Sequence, residues 1–408
     1  MAVSESHTRA YGRSFDSRVA AVVAEAALRV PAFAARLADQ GLSPDRLTDV
    51  DSLDRLEVLR KDRLLELQTL SPPFGGLLAP GASLRRVFQS PGPLYEPELD
   101  VPDPWGWTPA LRAAGIGPDD LVLNAFGYHL TPAGAMLEQA ALALGARVLP
   151  GGVGNLELQA RACRDLAVTA YAGLPSYLKA LLERAAELGL EPSGWALERA
   201  FVSAEPLPPS LRAWLEERLV VRQGYGTAEA GNLGYECERR EGLHLPLDRL
   251  VQICDLTTGE ALWDGEEGEV VVSLLTADYP LVRFGTGDIS ALMPDPCPCG
   301  NPAPRIAGWL GRSGEAVKVR GLFLHPRQAR SALADVPGLD GFRLVVDRVD
   351  HRDVLRCEIL PSAPGDAEAV RTSVREQIRA GLRFDAEVSV VDELDPAAPA
   401  IVDHRTWE

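Results

Sequence analysis

Tyr225, Thr227 and Glu229 stand in the stretch Gln223-Gly-Tyr-Gly-Thr-Ala-Glu-Ala-Gly231, where a predicted strand (219–222) runs into a glycine-punctuated turn. Glycines such as Gly226 let backbone approach a ligand closely. A threonine hydroxyl with neighbouring backbone N–H groups can bond a phosphate, and a carboxylate can hold Mg²⁺. The same residues also suit an ordinary strand and turn. A second stretch, Pro280-Leu-Val-Arg-Phe-Gly-Thr-Gly-Asp288, puts an aspartate between glycine turns. Asp288 could accept from both hydroxyls of a ribose, although a Gly-Asp pair more commonly makes an Asx turn. A third, Gly311-Arg-Ser-Gly-Glu-Ala-Val-Lys-Val-Arg-Gly-Leu-Phe-Leu-His-Pro326, is a basic strand between glycine turns and could serve as an inter-domain hinge beginning at Arg312. Finally, Cys237-x₆-His244 and Cys297-Pro-Cys299 supply three thiols and one imidazole, a common structural zinc set. The Cys-x-Cys spacing is tighter than usual, and unpaired surface cysteines are the alternative.

Positioning these groups requires a framework, and the hydrophobic pattern supplies one. From residue 106 helical segments (106–114, 133–144, 155–165, 175–188) alternate with apolar runs (121–125, 147–150, 168–172), which predicts βαβ units and a parallel sheet. Residues 17–41 read as helix interrupted at Pro31. The window 72–104 is dense in proline and glycine, which disfavours long helices there. Beyond 220 the chain turns β-rich, with strands expected at 251–255 and 268–275. Residues 312–408 read as a separate small α+β domain with strands at 343–347, 354–360 and 385–391 and a helix at 366–381.

The chain has 408 residues, is 46% hydrophobic and carries a formal net charge of −17. That length suits two or three domains. So acidic a surface argues against nucleic acid and against anionic membrane as partners. No apolar run reaches transmembrane length and no signal-peptide pattern follows the N-terminal charges, so a cytoplasmic location is expected. Six cysteines are too sparse for a disulfide scaffold, in keeping with a metal site.

In this order the motifs resemble the adenylate-forming superfamily and, within it, the phenylacetate–CoA ligase branch. The branch pattern is matched by Tyr225-Gly-Thr-x-Glu229, Arg283-x₄-Asp288, Gly311-Arg312 and Lys318-x-Arg-Gly-x₄-Pro326. Val30-Pro-Ala-Phe-Ala-Ala-Arg-Leu37, Asn124-Ala-Phe-Gly-Tyr128, Gly173-Leu-Pro-Ser-Tyr177 and Ser203-Ala-Glu-Pro206 are similar as well. The resemblance implies an α/β adenylate-forming fold: residues 1–311 as an acyl- and nucleotide-binding domain with a β-rich part, residues 312–408 as a mobile lid. It implies that ATP activates an acid as an acyl-adenylate, and that the acyl group then passes to the thiol of CoA. Asp288 would hold the ribose, Thr227 the α-phosphate and Glu229 the Mg²⁺. Tyr128, His129, Ala204 and Tyr225 would line the acyl pocket beside Ser203 and Glu205, with His129 as a candidate base. A small aryl or acyl substrate, an acyl carrier protein as acceptor and a homodimer are further implications.

Two departures from the family pattern concern ATP. The family's Ser/Thr/Gly-rich phosphate loop ends in Lys-Pro, but the equivalent stretch here is Gln89-Ser-Pro-Gly-Pro-Leu-Tyr-Glu-Pro97. Its hydroxyls are reduced to Ser90, Pro91 and Pro93 have no N–H to give a phosphate, and Glu96 stands in place of the basic residue. At the C-terminus no lysine occurs after Lys318, and Ala397 aligns with the family's catalytic lysine. Losing one such charged donor costs about 10²–10³ in rate. The expectation is therefore acyl transfer from an activated donor, an acyl-adenylate or a thioester, to a thiol, amine or carrier protein, with adenylation weak or lost. An ordinary AMP-forming ligase and a non-catalytic binding protein are the alternatives.

Overall fold

The computed structural model describes residues 6–405 apart from 91, 191–193, 264, 314–316, 321, 325, 351 and 396–397. Pro91 and Ala397 lie outside the described residues. The chain divides into two compact units, Met1–Leu207 with Arg212–Ser313 and Pro208–Leu211 with Gly314–Glu408.

In the first unit, helices Asp16–Arg29 and Pro31–Asp39 meet at Val30. Pro31 opens the second helix, where its missing N–H costs nothing. Val19, Val23, Ala26, Phe33 and Leu37 form one buried face. A further helix, Lys61–Leu70, had no clear signal in the sequence. The proline-rich window holds an antiparallel hairpin, β1 (Leu84–Gln89) and β2 (Tyr95–Leu99), with Phe88 opposite Glu96 and Gln89 opposite Tyr95.

The alternating pattern forms a parallel block, β3 (Leu121–Asn124), β4 (Arg147–Pro150), β5 (Ala170–Gly173), β6 (Arg199–Val202) and β7 (Val220–Thr227), in the order β4-β3-β5-β6-β7. Helices Thr108–Ala113, Ala133–Ala143, Leu156–Asp165 and Pro175–Glu187 intervene along the chain. β5 is buried along its whole length, as a strand inside such a block must be.

β7 is the joint of the sheet. Its first half pairs parallel with β6 and its second half antiparallel with β8 (Gly231–Tyr235). The strand therefore runs to Thr227, past the expected end at 222, because β8 gives its glycine-rich second half a partner. From there the sheet is antiparallel through β9 (Leu243–His244), β10 (Leu250–Cys254), β11 (Ala261–Leu262), β12 (Glu267–Ser273), β13 (Phe284–Met293), β14 (Arg305–Ile306) and β15 (Gly311–Arg312), in the order β8-β9-β14-β13-β12-β10-β11, with β15 also on β13. Val251, Ile253, Val270, Val272, Leu281 and Phe284 from this part share a core with the N-terminal helices.

In the second unit a short hairpin, β16 (Val317–Val319) with β17 (Leu322–Leu324), precedes a four-stranded sheet. The sheet comprises β18 (Leu339–Val349), β19 (Arg352–Pro361), β20 (Glu387–Val390) and β21 (Ile401–Asp403), in the order β20-β19-β18-β21. Val346, Leu355, Cys357, Val374 and Ile378 lie in its core. The helix expected over 366–381 is α-helical over Ala367–Gln377 and then widens into a π turn, Ile378–Leu382.

Candidate active site

The turn from β7 to β8 is built from close backbone approaches. A Cβ at Gly226 would lie 2.2 Å from the Gly231 carbonyl oxygen, and one at Gly231, whose φ is +72°, would lie 2.3 Å from the Trp105 carbonyl oxygen. Both positions therefore require glycine. Buried Arg249 donates to the Ala230 carbonyl, and the Asn232 side chain donates to the Gly106 carbonyl at 3.0 Å. The Ala230 N–H donates to the Thr227 hydroxyl at 3.2 Å. Thr227 and Glu229 thus sit on a turn fixed from several sides.

One turn of sheet away, Asp288 gathers three donors. The Tyr225 hydroxyl donates to Oδ2 at 2.8 Å, the Trp309 indole N–H to Oδ1 at 3.1 Å, and Arg312 Nε lies 3.1 Å from Oδ1. Asp288 faces Arg312 across the β13–β15 ladder. A carboxylate has about four acceptor directions, so this set fixes Asp288 in place and leaves it capacity for a ligand hydroxyl. Burial, and then the Asp288 charge, push the Tyr225 hydroxyl well above its ordinary range, so it stays a donor.

The opposite side of the turn is a charge cluster. Glu229 Oε1 pairs with the ammonium of Lys61, the first residue of helix Lys61–Leu70. Glu96, 1% exposed, is pushed up to about 8, first by burial and then by the neighbouring Glu229 carboxylate, with Lys61 opposing. Burial pushes Glu229 up as well, but the charge and hydrogen bond of Lys61 outweigh it and hold Glu229 below its ordinary value. One proton therefore stays on Glu96 while Glu229 remains ionised. The hairpin turn leading to Glu96 closes on itself: the Ser90 N–H donates to the Leu94 carbonyl at 2.8 Å, and its hydroxyl lies 3.3 Å from that oxygen and 3.4 Å from Glu96 Oε1. Leu94 is fully buried.

Residues expected at the acyl pocket fall into two groups. Ser203 is buried and donates to the Gly224 carbonyl at 2.8 Å, tying β6 to β7. Ala204 has φ +69°, a left-handed conformation that costs an alanine about 1–2 kcal/mol. Such strain tends to be kept at functional positions. Glu205 accepts from the Ser176 hydroxyl at 2.6 Å. Tyr128 is half-buried, its hydroxyl accepting from the Asn124 amide at 2.7 Å. His129 is exposed, and among the described residues its ring has no hydrogen-bond partner, so no group there orients it as a base.

Cys237, His244, Cys297 and Cys299 converge, with their ligand atoms all within 4.8 Å of one another. Cys237 Sγ lies 3.8 Å from Cys297 Sγ, and Cys299 Sγ lies 3.3 Å from His244 Nε2. His244 Nδ1 faces the Ala303 carbonyl at 2.9 Å, which places the ring proton there and turns Nε2 towards the thiols. The Arg239 and Asn301 N–H groups approach Cys237 and Cys299 sulfur at 3.4 Å, as donors to thiolates do. The donor set, the tautomer and the backbone donors all fit zinc.

A family model described as AMP-binding enzyme matches residues 110–274. The phenylacetate-coenzyme A ligase of Thermus thermophilus is 30% identical over 369 residues, covering 86% of this chain and 81% of that protein. This chain belongs to the phenylacetate–CoA ligase family of AMP-binding enzymes. The Escherichia coli ligase of the same name is 29% identical, with 81% of this chain and 78% of that protein covered. In fold, the chain matches a crystal structure of 2-hydroxyisobutyryl-CoA ligase with a TM-score of 0.90 at 23% identity, over 98% of this chain and 91% of that one. The family and the α/β adenylate-forming fold expected from the motifs are both borne out. Among the described residues, no helix is long and apolar enough to cross a membrane.

Lys61 is the residue at this site that sequence reasoning missed. It lies in an unremarked Arg-Lys-Asp run more than a hundred residues before its partner. The signal that could have found it is the scarcity of lysine: of 41 basic side chains only Lys61, Lys179 and Lys318 are lysines.

Proposed function

We propose that this enzyme binds the nucleoside monophosphate end of an acyl-adenylate and passes its acyl group to a thiol, with adenylation from ATP and free acid slow or absent. In this reading Asp288 takes the ribose hydroxyls, Thr227 the phosphate, and Tyr225, Ala204 and Tyr128 the acyl group. The thiol, on CoA or a carrier protein, attacks the acyl carbon. The bond from that carbon to the phosphate oxygen breaks, AMP leaves, and the thiol proton goes to solvent. The donors gathered around Asp288 and the turn holding Thr227 orient the adenylate for that attack. The small Ala204 with aromatic side chains nearby would suit a flat aryl acid. Residues 1–311 would carry this site and residues 312–408 would act as its lid, with Arg312 at the hinge. The protein would be cytoplasmic.

The observation that carries the reading is that Ser90 closes on Leu94 just before Glu96. The Ser90 hydroxyl and N–H are spent on Leu94 and Glu96, and a buried carboxyl follows where a phosphate cradle needs cations. An ordinary AMP-forming CoA ligase is the second reading, favoured by 30% identity to a named ligase over most of the chain. Titration of the protein by calorimetry with Mg-ATP and then with AMP separates them. AMP binding without ATP binding is expected. Tight ATP binding, or acyl-adenylate made from acid and ATP at the rates of ordinary ligases, overturns the first reading in favour of the second.

The four-residue Cys/His cluster would hold one structural zinc, since four protein ligands leave no open position for chemistry. Zinc there would tie the loops after β8 and β13 together, beside the strands that carry Tyr225 and Asp288. Elemental analysis is expected to give one zinc per chain; stable metal-free protein rules it out.

A further inference from the structure

The chain writes nearly all of its positive charge as arginine, so each lysine is a deliberate position to examine. Lys179 pairs with Glu183 on a helix surface, the usual i,i+4 arrangement. Lys61 is placed differently. Its side chain is 20% exposed and its ammonium rests on Glu229, whose side chain is 2% exposed. A Cβ on Gly92 would lie 3.4 Å from Lys61 Cε, so the lysine stem runs against the hairpin turn at 90–94. Three segments distant in sequence, the start of helix Lys61–Leu70, the 90–94 turn and the β7–β8 turn, thus meet at one carboxylate. An ammonium is a compact point charge with three donors, whereas guanidinium presents a wide planar fork. A chain that otherwise prefers arginine uses the smaller cation here.

The family resemblance would put Mg²⁺ on Glu229, and the residues present do not fit it. Magnesium demands a near-octahedral oxygen shell and keeps several waters. Here one Glu229 oxygen is committed to an ammonium, whose stem runs against Gly92. A divalent cation on the same carboxylate would face Lys61 as a like charge. We propose that Lys61 is the resident cation of this phosphate site, its ammonium standing beside Glu229 where a magnesium ion would otherwise stand, so that the site takes a single phosphate ester without divalent metal. The phosphate of an acyl-adenylate, esterified to the ribose and joined to the acyl group as a mixed anhydride, carries one negative charge and is matched by one ammonium. A triphosphate carries several and relies on a metal to offset them. The inference rests on the adenylate-binding reading above and specifies how its phosphate is met.

The test is AMP affinity by calorimetry, with magnesium removed by dialysis so that zinc is retained, and then with millimolar magnesium restored. In the wild-type protein the affinity is expected to be the same in both conditions. In Lys61→Ala, AMP should bind at least about tenfold more weakly without magnesium. Magnesium should then restore part of the loss, because Glu229 is released to bind it. Titration with Mn²⁺ followed by electron paramagnetic resonance should find one tight site in Lys61→Ala that wild type lacks. Lys61→Arg should not rescue metal-free binding, since the fork cannot replace the point charge. A wild-type affinity that rises tenfold or more with magnesium overturns the inference while leaving the adenylate reading standing, and that measurement needs no variant to fold. An unchanged AMP affinity in folded Lys61→Ala overturns it equally. No AMP binding under either condition overturns both.

Discussion

The two ends of the candidate nucleotide site differ in how their polar groups are spent. Around Asp288, the Tyr225 hydroxyl, the Trp309 indole and the Arg312 guanidinium all aim at one carboxylate. Around Glu96, the Ser90 hydroxyl and N–H are turned on Leu94 and on Glu96 itself, and the neighbouring Glu229 carboxylate carries the Lys61 ammonium. The first is an organised acceptor that a ligand can complete. The second is complete without one. The contrast gives the proposed function its form: in that reading the groups around Asp288 would meet a ribose, while the self-bonded turn at Ser90 and Leu94 would offer little to a triphosphate.

Substitution at Asp288 should have the larger effect. A hydrogen bond to a charged group contributes about 1.5–3 kcal/mol, so losing the ribose contact for which Asp288 has capacity should weaken AMP binding in Asp288→Ala by roughly ten- to a hundredfold. The same change leaves Arg312 and Tyr225 without their common partner, and breaking a buried charge pair costs about 3–5 kcal/mol of stability. Asp288→Asn, which keeps the shape and one acceptor oxygen, separates the two effects. It should fold nearly as well as wild type yet still lose most of the AMP affinity. Wild-type affinity in a folded Asp288→Ala protein would reduce the carboxylate to a structural tie and remove the distinction between the two ends.

Much of the Asp288 end was legible in the sequence, and little of the Glu96 end was. Tyr225, Thr227, Glu229 and Asp288 announce themselves because their motifs are local: closely packed glycines at 224, 226, 285 and 287 flank them within or beside β7 and β13. The βαβ alternation was readable because buried parallel strands and amphipathic helices differ in period. The β1–β2 hairpin was not, since its prolines mask the strand signal and Glu96 and Glu98 are buried in it as charged residues. Glu96 could be read as an unwelcome charge, but not as half of a cluster, because the partner lysine comes from a helix with no periodic pattern strong enough to mark it. His129 is the converse case: the residue type suggested a base, and the structure leaves it exposed without an orienting partner.

Glu96 should matter less to AMP and more to how stability responds to pH. Its folded pKa of about 8 lies above the ordinary value of 4.5. A group raised in this way stabilises the fold fully while it is protonated in both states, below about 4.5. As pH rises past that point the unfolded chain releases the proton and the folded chain keeps it, so stability falls until about 8 and then levels off. The Lys61 charge ends the decline at a lower pH than burial alone would, and Glu229, held low by the same lysine, contributes in the opposite sense at acid pH. Glu96→Gln carries the neutral form permanently. It should flatten the decline between pH 4.5 and 8, measured by denaturant unfolding at several pH values, and it should leave AMP affinity within about twofold of wild type. If Glu96→Gln instead creates tight ATP binding, the anion alone was keeping triphosphate out. If ATP still fails to bind, the closed backbone of the hairpin is the barrier, which is the outcome expected from a turn whose hydroxyl and N–H are already committed to Leu94.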